Sequence, residues 1–402
     1  MPMRSEMDEG RTRRLEVIVR VAVLAVALAL LPSIFIGDVS WYWQRALGLG
    51  LHHLPYRDFS WEFPPLTVPI LGLVPLARHQ YWIFFTAFSG IMIACELASL
   101  RVLRRHTPQD ERAPLTRYWH VVGIPLATFA WFRFDFLAVL FAVLAYTKLV
   151  DGRRATGSLL GGIAAKLWPG ALAVLLVTQR RGRQLLELTL ATVGLFVSWY
   201  LFSPSGLVDF LRFRRGSGLQ LESVGGALHM LIAGGRPTVV SGAWVVGANG
   251  YGWVDTAGLG VVAAVAGALM IVGRGRRLNP AAVCGGLTLV VLLASHLLSP
   301  QYLVWPLPFM AAAWGAGERR ATKAFAAAAF LTWAELMVYH DLIHGARWLA
   351  AVVVLRNGLL ALSAFWLLAP ELARTRRSAP TDDTTIAGET TIAGAVDALV
   401  VP

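Results

Sequence analysis

The sequence predicts an all-α protein that crosses a membrane many times. Three observations carry that prediction. Hydrophobic residues make up 56% of the 402 positions and charged residues only 15%, with a mean hydropathy of +0.59. A soluble domain needs more polar surface than this. Apolar runs approach the roughly 20 residues that a helix needs to span a bilayer. Short basic clusters separate those runs, so the net charge of +12 reads as a record of topology and not as a nucleic-acid surface. Cys95 and Cys284 both lie inside apolar runs, which argues against a disulfide framework or a cysteine metal site. No HExxH, Walker loop or strand-linked GxGxxG is present.

Each element follows from the same two signals. Residues 1–14 are polar and basic and predict a cytoplasmic N-terminus. Residues 15–36 form an apolar run too long for the core of a cleaved signal peptide, so they read as a retained helix. Further spans are expected at 80–102, 117–132, 135–150, 156–168, 169–179, 185–203, 256–273, 279–297, 300–317, 323–341 and 347–370. Four of these, between 117 and 179, are short and read as half-spans or as borders of a water-filled cavity, where broken backbone is tolerated.

The clusters RVLRR (101–105), DGRR (151–154), QRRGR (179–183), GRGRR (273–277), ERRATK (318–323) and RTRR (374–377) should all be cytoplasmic. They share one side only if PPLTVPILGLVPLAR (64–78) does not cross. Its four prolines make it an interfacial or re-entrant helix on the outer face. The count becomes about twelve spans with both termini inside. The transmembrane domain is then 15–370, with a first outer loop at 37–79 and a second large one at 204–255. The tail 371–402 is cytoplasmic; its polar, Thr/Ala-rich end repeats TTIAG at 384–388 and 390–394 and reads as disordered.

The outer-face loops hold most of the ionisable residues that chemistry would use. Asp38 ends the first apolar run. A carboxylate at the membrane boundary suits a general base, and it equally suits a helix-end carboxylate in water or an N-cap for residues 40–54. Those residues read as an amphipathic helix in the interface, with Trp41, Tyr42 and Trp43 at headgroup level. Asp58 and Glu62 precede Pro64–Pro65 and suit either acceptor hydroxyls or a polar turn. His52 and His53 lack the spaced partners of a metal site. Arg133 and Asp135 flank a break between short spans and read as a structural clamp or as working residues. Lys166, in an apolar run before Trp168-Pro169, must snorkel or meet an anion such as a lipid phosphate. Arg212, Arg214 and Arg215 stand near Gln220 and Glu222 in a basic loop that breaks the charge rule, and arginine forks match phosphate oxygens. His296, Ser299, Gln301 and Tyr302 form another polar break, and His340, Asp341 and His344 a third.

GDVSWYW (37–43), PYRDFSWEFPPL (55–66), RFD (133–135), AAKLWPGALAVLL (164–176), GLQLES (218–223) and LLSPQYLVWPLP (297–308) occur in that order. On these motifs the chain resembles the polyprenyl-phosphate-sugar-dependent glycosyltransferases of family 87, in the GT-C superfamily. The resemblance implies a GT-C-like fold with its active site on the extracytoplasmic face of the plasma membrane, and interfacial helices in the first outer loop. It implies a lipid-linked donor such as decaprenyl-phosphate mannose or arabinofuranose, and a cell-envelope glycan or glycolipid as acceptor. An acidic residue of the first outer loop serves as base in the superfamily. The Asp-x-x-x-Tyr pattern falls here on Asp38 and Tyr42, with Asp58 as the alternate base. The family's Arg-Phe/Tyr-Asp and Lys-x-x-Pro positions fall on Arg133/Asp135 and Lys166/Pro169.

The resulting expectation is an inverting displacement with no metal and no cofactor. Lys166, Arg133, Arg212, Arg214 and Arg215 would hold the donor phosphate. Tyr42, Glu62, Asp135, Gln220, Glu222, His296, Gln301 and His344 would bind substrate. The rival readings are a lipid-linked-sugar transporter or flippase, which predicts ionisable residues near mid-membrane and repeat symmetry, and a glycan ligase or polymerase.

Overall fold

The structure, a computed structural model, describes residues 14–26, 29, 32–50, 52–77, 80–212, 218–240, 242–247, 251–274 and 276–373. The tail beyond 373 and the expected phosphate ligands Arg214 and Arg215 lie outside the described residues.

Helices dominate, and most begin and end where charge and proline dictate. Four among the described residues are long and apolar enough to cross a membrane: Tyr81–His106, Gly182–Phe202, Gly252–Gly273 and Arg347–Ala373. The protein is therefore a multi-pass membrane protein. The expected count of about twelve spans is not confirmed, and several helices at the expected spans are shorter than a full crossing, as expected for the segments between 117 and 179. Asp135–Val150 has 16 residues, Thr156–Ala165 has 10 and Leu307–Gly315 has 9. Gln109–Tyr118 runs through a wider turn at Trp119–Gly123 into Ile124–Ala130. Pro125, just after that turn, has no N–H to return to the preceding turn, which is the usual cause of such a local widening.

Gly182–Phe202 and Gly252–Gly273 expose apolar side chains such as Leu190, Leu201, Leu259 and Ile271. Surfaces of this kind belong in lipid and not in water. The remaining helices pack inward. Tyr81–His106 lies on Asp135–Val150, which in turn lies on Thr156–Ala165, while Arg347–Ala373 packs on both Arg319–Met337 and Pro280–Ala294. Phe129, Trp131, Phe132, Phe134 and Phe136 are all buried at the join between the two broken helices.

Two differences from the sequence reading bear on the site. The helix that contains Asp38 runs Pro32–Ala46 without a break, so no new helix starts at 40; residues 47–50 and 52–64 are turns, isolated bridges and irregular chain. Tyr42 is not an interface anchor. It is buried among Trp61, Phe63, Phe88 and Phe134, with ring centroids 4.9–5.8 Å away. The expected interfacial stretch 64–78 forms a 3-10 turn, Pro65–Thr67, and two four-residue helices, Val68–Leu71 and Leu73–Leu76, which meet at Gly72.

The fold is also not purely α. In the second loop, Leu219–Gln220, Ala243–Val246 and Thr238–Val240 form a three-stranded antiparallel sheet in that spatial order. Thr238–Val240 and Ala243–Val246 are rich in β-branched residues. Val240 pairs with Ala243, and just before Ala243 Gly242 takes φ +76, a conformation open to glycine at little cost. This sheet, Val224–Ile232 and the start of Arg347–Ala373 share a second small core of Leu219, Leu221, Met230, Leu342 and Val353.

Candidate active site

The site is built at breaks in helices. Asp38 and Tyr42 stand four residues apart on Pro32–Ala46 and so share a face. Arg133 lies in the turn between Ile124–Ala130 and Asp135–Val150. Lys166 is the extended residue that ends Thr156–Ala165, before the turn Trp168–Ala173 with Pro169 near its start.

Arg133 and Asp135 do not clamp each other. Arg133 directs Nε to Asp38 Oδ2 and donates Nη1 to the Phe129 carbonyl at 2.9 Å. The Asp38 side chain remains 43% exposed, so it is open to a second partner. Asp135 turns the other way. It is buried, and its Oδ1 accepts from Lys166 Nζ at 2.6 Å and from Trp305 Nε1 at 2.5 Å. The ammonium also lies over the rings of Tyr302 and Trp305, at 4.5 and 4.9 Å from their centroids, a favourable placement for a cation. Trp168 stacks on Trp305 at 5.3 Å. Asp135 opens its helix and Lys166 closes its own, so each charge complements the helix end that carries it.

The two ion pairs share one electrostatic neighbourhood. The charges of Asp38, Arg133, Glu62 and Asp135 all act on the Tyr42 hydroxyl. Arg133 also acts on Tyr302 and Tyr339. Tyr339 in turn donates to Glu222 Oε1 at 2.7 Å. Asp38, Tyr42, Glu62, Arg133, Asp135, Lys166 and Glu222 are thereby linked. Gln220 and His296 join through the Gln220 N–H on the His296 carbonyl at 3.0 Å. Gln301 is buried on the turn Pro300–Val304 that also carries Tyr302.

Other expected residues sit apart from this network. Asp58 accepts from the Leu54 N–H at 2.7 Å and from Arg57 at 3.0 Å, within its own loop. Those hydrogen bonds, with Arg57's the larger effect, hold its carboxyl below the ordinary range. His344 is exposed and directs Nδ1 to the His340 carbonyl of the same turn at 2.7 Å. Arg212 is exposed at the end of Pro204–Arg212. Among the described residues no group of three or more His, Cys, Asp or Glu side chains is placed to hold a metal ion.

Two buried ion pairs were not anticipated. Arg20 is paired with Glu96 at 2.5 and 2.7 Å, and Glu96 also accepts from Trp119 and Trp131 Nε1 at 3.0 and 3.1 Å. Arg356 pairs with Glu335 at 2.9 Å and donates Nη2 to the Glu222 carbonyl at 2.5 Å. The signal for both was present: each is a lone ionisable residue in an apolar run, as in VIVRVAV (17–23) and VVVLRNG (352–358).

The sequence model of glycosyltransferase family 87 matches residues 61–300, more than half of the chain. That stretch contains Arg133, Asp135, Lys166, Gln220, Glu222 and His296, and Asp38 precedes it. No curated protein matches. Two solved structures are similar at 16% identity, both of ArnT from Cupriavidus metallidurans. The apo form gives a TM-score of 0.47 and covers 91% of this chain and 78% of its own. The form bound to undecaprenyl phosphate gives 0.46, with 90% and 77% covered.

Proposed function

The chain belongs to glycosyltransferase family 87, and from that premise we propose a reaction for this multi-pass membrane glycosyltransferase. It moves one monosaccharide, of the mannose or arabinofuranose class, from a polyprenyl-phosphate donor to a cell-envelope glycan or glycolipid. The active site faces outward from the plasma membrane.

The observation that carries the reading is the half-open Asp38 carboxylate, paired on one oxygen with Arg133, whose guanidinium also feels the charge of Asp135 from the second pair, Asp135–Lys166. Arg133 orients Asp38 through one oxygen and leaves the carboxylate exposed, within reach of an acceptor hydroxyl, which is what a general base requires. Asp38 takes the proton of the acceptor hydroxyl while that oxygen attacks the anomeric carbon. The bond from that carbon to the phosphate oxygen breaks, and its electron pair leaves on the polyprenyl phosphate. Arg133 and Lys166 supply fixed positive charge where that negative charge develops. In this reading Arg212, Arg214 and Arg215 also bind the donor phosphate, and a single displacement inverts the anomeric centre.

The test is transfer by protein reconstituted in lipid, with decaprenyl-phosphate mannose and decaprenyl-phosphate arabinofuranose as donors and the anomeric configuration of the product read out. The reading expects one inverted monosaccharide linkage per turnover. A retained anomer, or a product extended by a whole chain, overturns the single-displacement reading. Movement of the lipid-linked sugar across the bilayer with no glycosidic product overturns the whole assignment.

A further inference from the structure

Three polar atoms near the sheet edge lack partners among the described residues: Gln220 Oε1, Glu222 Oε2 and His296 Nε2. Gln220 and Glu222 are more than nine-tenths buried. Buried polar atoms are almost always hydrogen-bonded, so each such exception asks for an explanation. Here the exceptions are neighbours. The Gln220 N–H donates to the His296 carbonyl at 3.0 Å, and the Gln220 amide lies beside the Glu222 carboxyl.

Each of the three groups is held on its other side. Gln220 Nε2 donates to Ser299 Oγ at 2.5 Å. Glu222 Oε1 accepts from the Tyr339 hydroxyl at 2.7 Å, while its backbone carbonyl accepts from Arg356 at 2.5 Å and from Asn357 at 3.2 Å. His296 directs Nδ1 to Asp255 Oδ1. Asp255 comes from the first turn of Gly252–Gly273, a helix that otherwise faces lipid. A carboxylate on Nδ1 orients the ring, and Nε2 is the ring nitrogen left without a partner among the described residues. A held amide oxygen, carboxyl oxygen and ring nitrogen thus stand close together with hydrogen-bonding capacity to spare. A ligand that satisfies them brings several adjacent O–H donors on a compact carbon frame. A phosphate brings acceptors instead and is served by the cations at Arg133 and Lys166.

We infer that Gln220, Glu222 and His296 form a subsite that reads the hydroxyls of a sugar ring, with Ser299, Tyr339 and Asp255 as positioning residues. This rests on the transferase reading and adds the part of the site that tells one sugar from another. The ring belongs to either the donor or the acceptor, and the two sources share the same chemistry.

The experiment compares wild type with Gln220→Leu, Asp255→Asn and the milder Tyr339→Phe in lipid nanodiscs. It measures KM and kcat separately for decaprenyl-phosphate mannose and for octyl mannoside as acceptor, with binding of bare decaprenyl phosphate as control. Gln220→Leu and Asp255→Asn are expected to raise one KM about 10-fold and to change kcat less, because an unpaired buried group penalises binding. Binding of bare decaprenyl phosphate should not change. A raised donor KM assigns the subsite to the transferred sugar, and a raised acceptor KM assigns it to the acceptor. Unchanged KM for both substrates with turnover intact overturns the inference. So does a parallel loss of bare-lipid binding, which marks a structural role; Tyr339→Phe keeps the test open if the other variants fail to fold. If wild type transfers sugar from neither lipid donor, the transferase reading fails and this subsite fails with it.

Discussion

Lys166 and Asp135 face each other across two helix ends, with Nζ 2.6 Å from Oδ1 and the carboxylate buried behind Trp305. Removing one partner strands the other. Lys166→Ala leaves Asp135 without its cation, and loss of one member of a buried pair destabilises by about 3–5 kcal/mol. The double change Lys166→Met with Asp135→Leu should regain much of that, since apolar replacement of a buried pair is often neutral. It should not regain transfer, because no ammonium remains near the leaving phosphate. Thermal unfolding in detergent and turnover in lipid separate the two effects. A double variant that transfers at the wild-type rate removes Lys166 from the phosphate site.

The two candidate bases of the first loop differ in how they are held. Asp38 is paired on one side and open on the other. Asp58 is tied into a turn by Leu54 and Arg57 and held below the ordinary carboxylate range, which makes it a weaker proton acceptor. Asp38→Asn should lower kcat by about 10²–10⁴-fold with the protein still folded, the usual loss for a general base. Asp58→Asn should retain most of its turnover. The opposite ranking, measured with the same donor, would transfer the role to Asp58.

Much of the site was legible because charge in an apolar chain is conspicuous. The breaks at 131–134 and 166–167 follow from Arg133, Asp135, Lys166 and Pro169, and the structure ends helices at both. Pairing was not legible. Arg133 and Asp135 look like a clamp by spacing, but residues two apart around a helix start do not face each other. Arg133 instead reaches Asp38, and Asp135 reaches Lys166. Tyr42 misled for a different reason: an aromatic suits a membrane interface and a packed core equally well, and only its neighbours Trp61 and Phe134 decide. The pairs Arg20–Glu96 and Glu335–Arg356 were not legible because a single charge inside a span does not name its partner, which stands 76 and 21 residues away. Buried ionisable residues are what a transporter predicts, but each of these four has its opposite charge within hydrogen-bond distance.

Glu222 carries a pH dependence whose sign is fixed by its surroundings. Burial pushes its carboxyl above the ordinary value, partly offset by the Tyr339 hydroxyl, the Arg356 charge and the Gln220 amide. The folded state therefore keeps a proton that the unfolded chain, with a glutamate near about 4.3, has already lost. Between those two values the folded state binds more protons, so stability falls as pH rises. Glu222→Gln removes the titration and keeps an acceptor for Tyr339. Just above about pH 4.3, between those two values, raising the pH should lower Tm in wild type relative to Glu222→Gln. Equal slopes would show that the burial of Glu222 is not felt by the folding equilibrium.

The Arg20–Glu96 pair should be a structural clamp with no part in the chemistry. It joins the 14–26 helix to Tyr81–His106, and both Glu96 oxygens are occupied, Oε1 by Arg20 and Trp119 and Oε2 by Arg20 and Trp131. A charge so fully engaged has no oxygen left for a substrate. Glu96→Gln leaves Arg20 buried without its counter-charge and should destabilise by about 3–5 kcal/mol. Trp119→Phe and Trp131→Phe each remove one hydrogen bond to a charged group and should lose about 1.5–3 kcal/mol. In all three variants the KM values and the turnover per folded molecule should match wild type. If Glu96→Gln unfolds at the wild-type temperature yet transfers no sugar, the pair belongs to the working machinery and the clamp assignment is wrong.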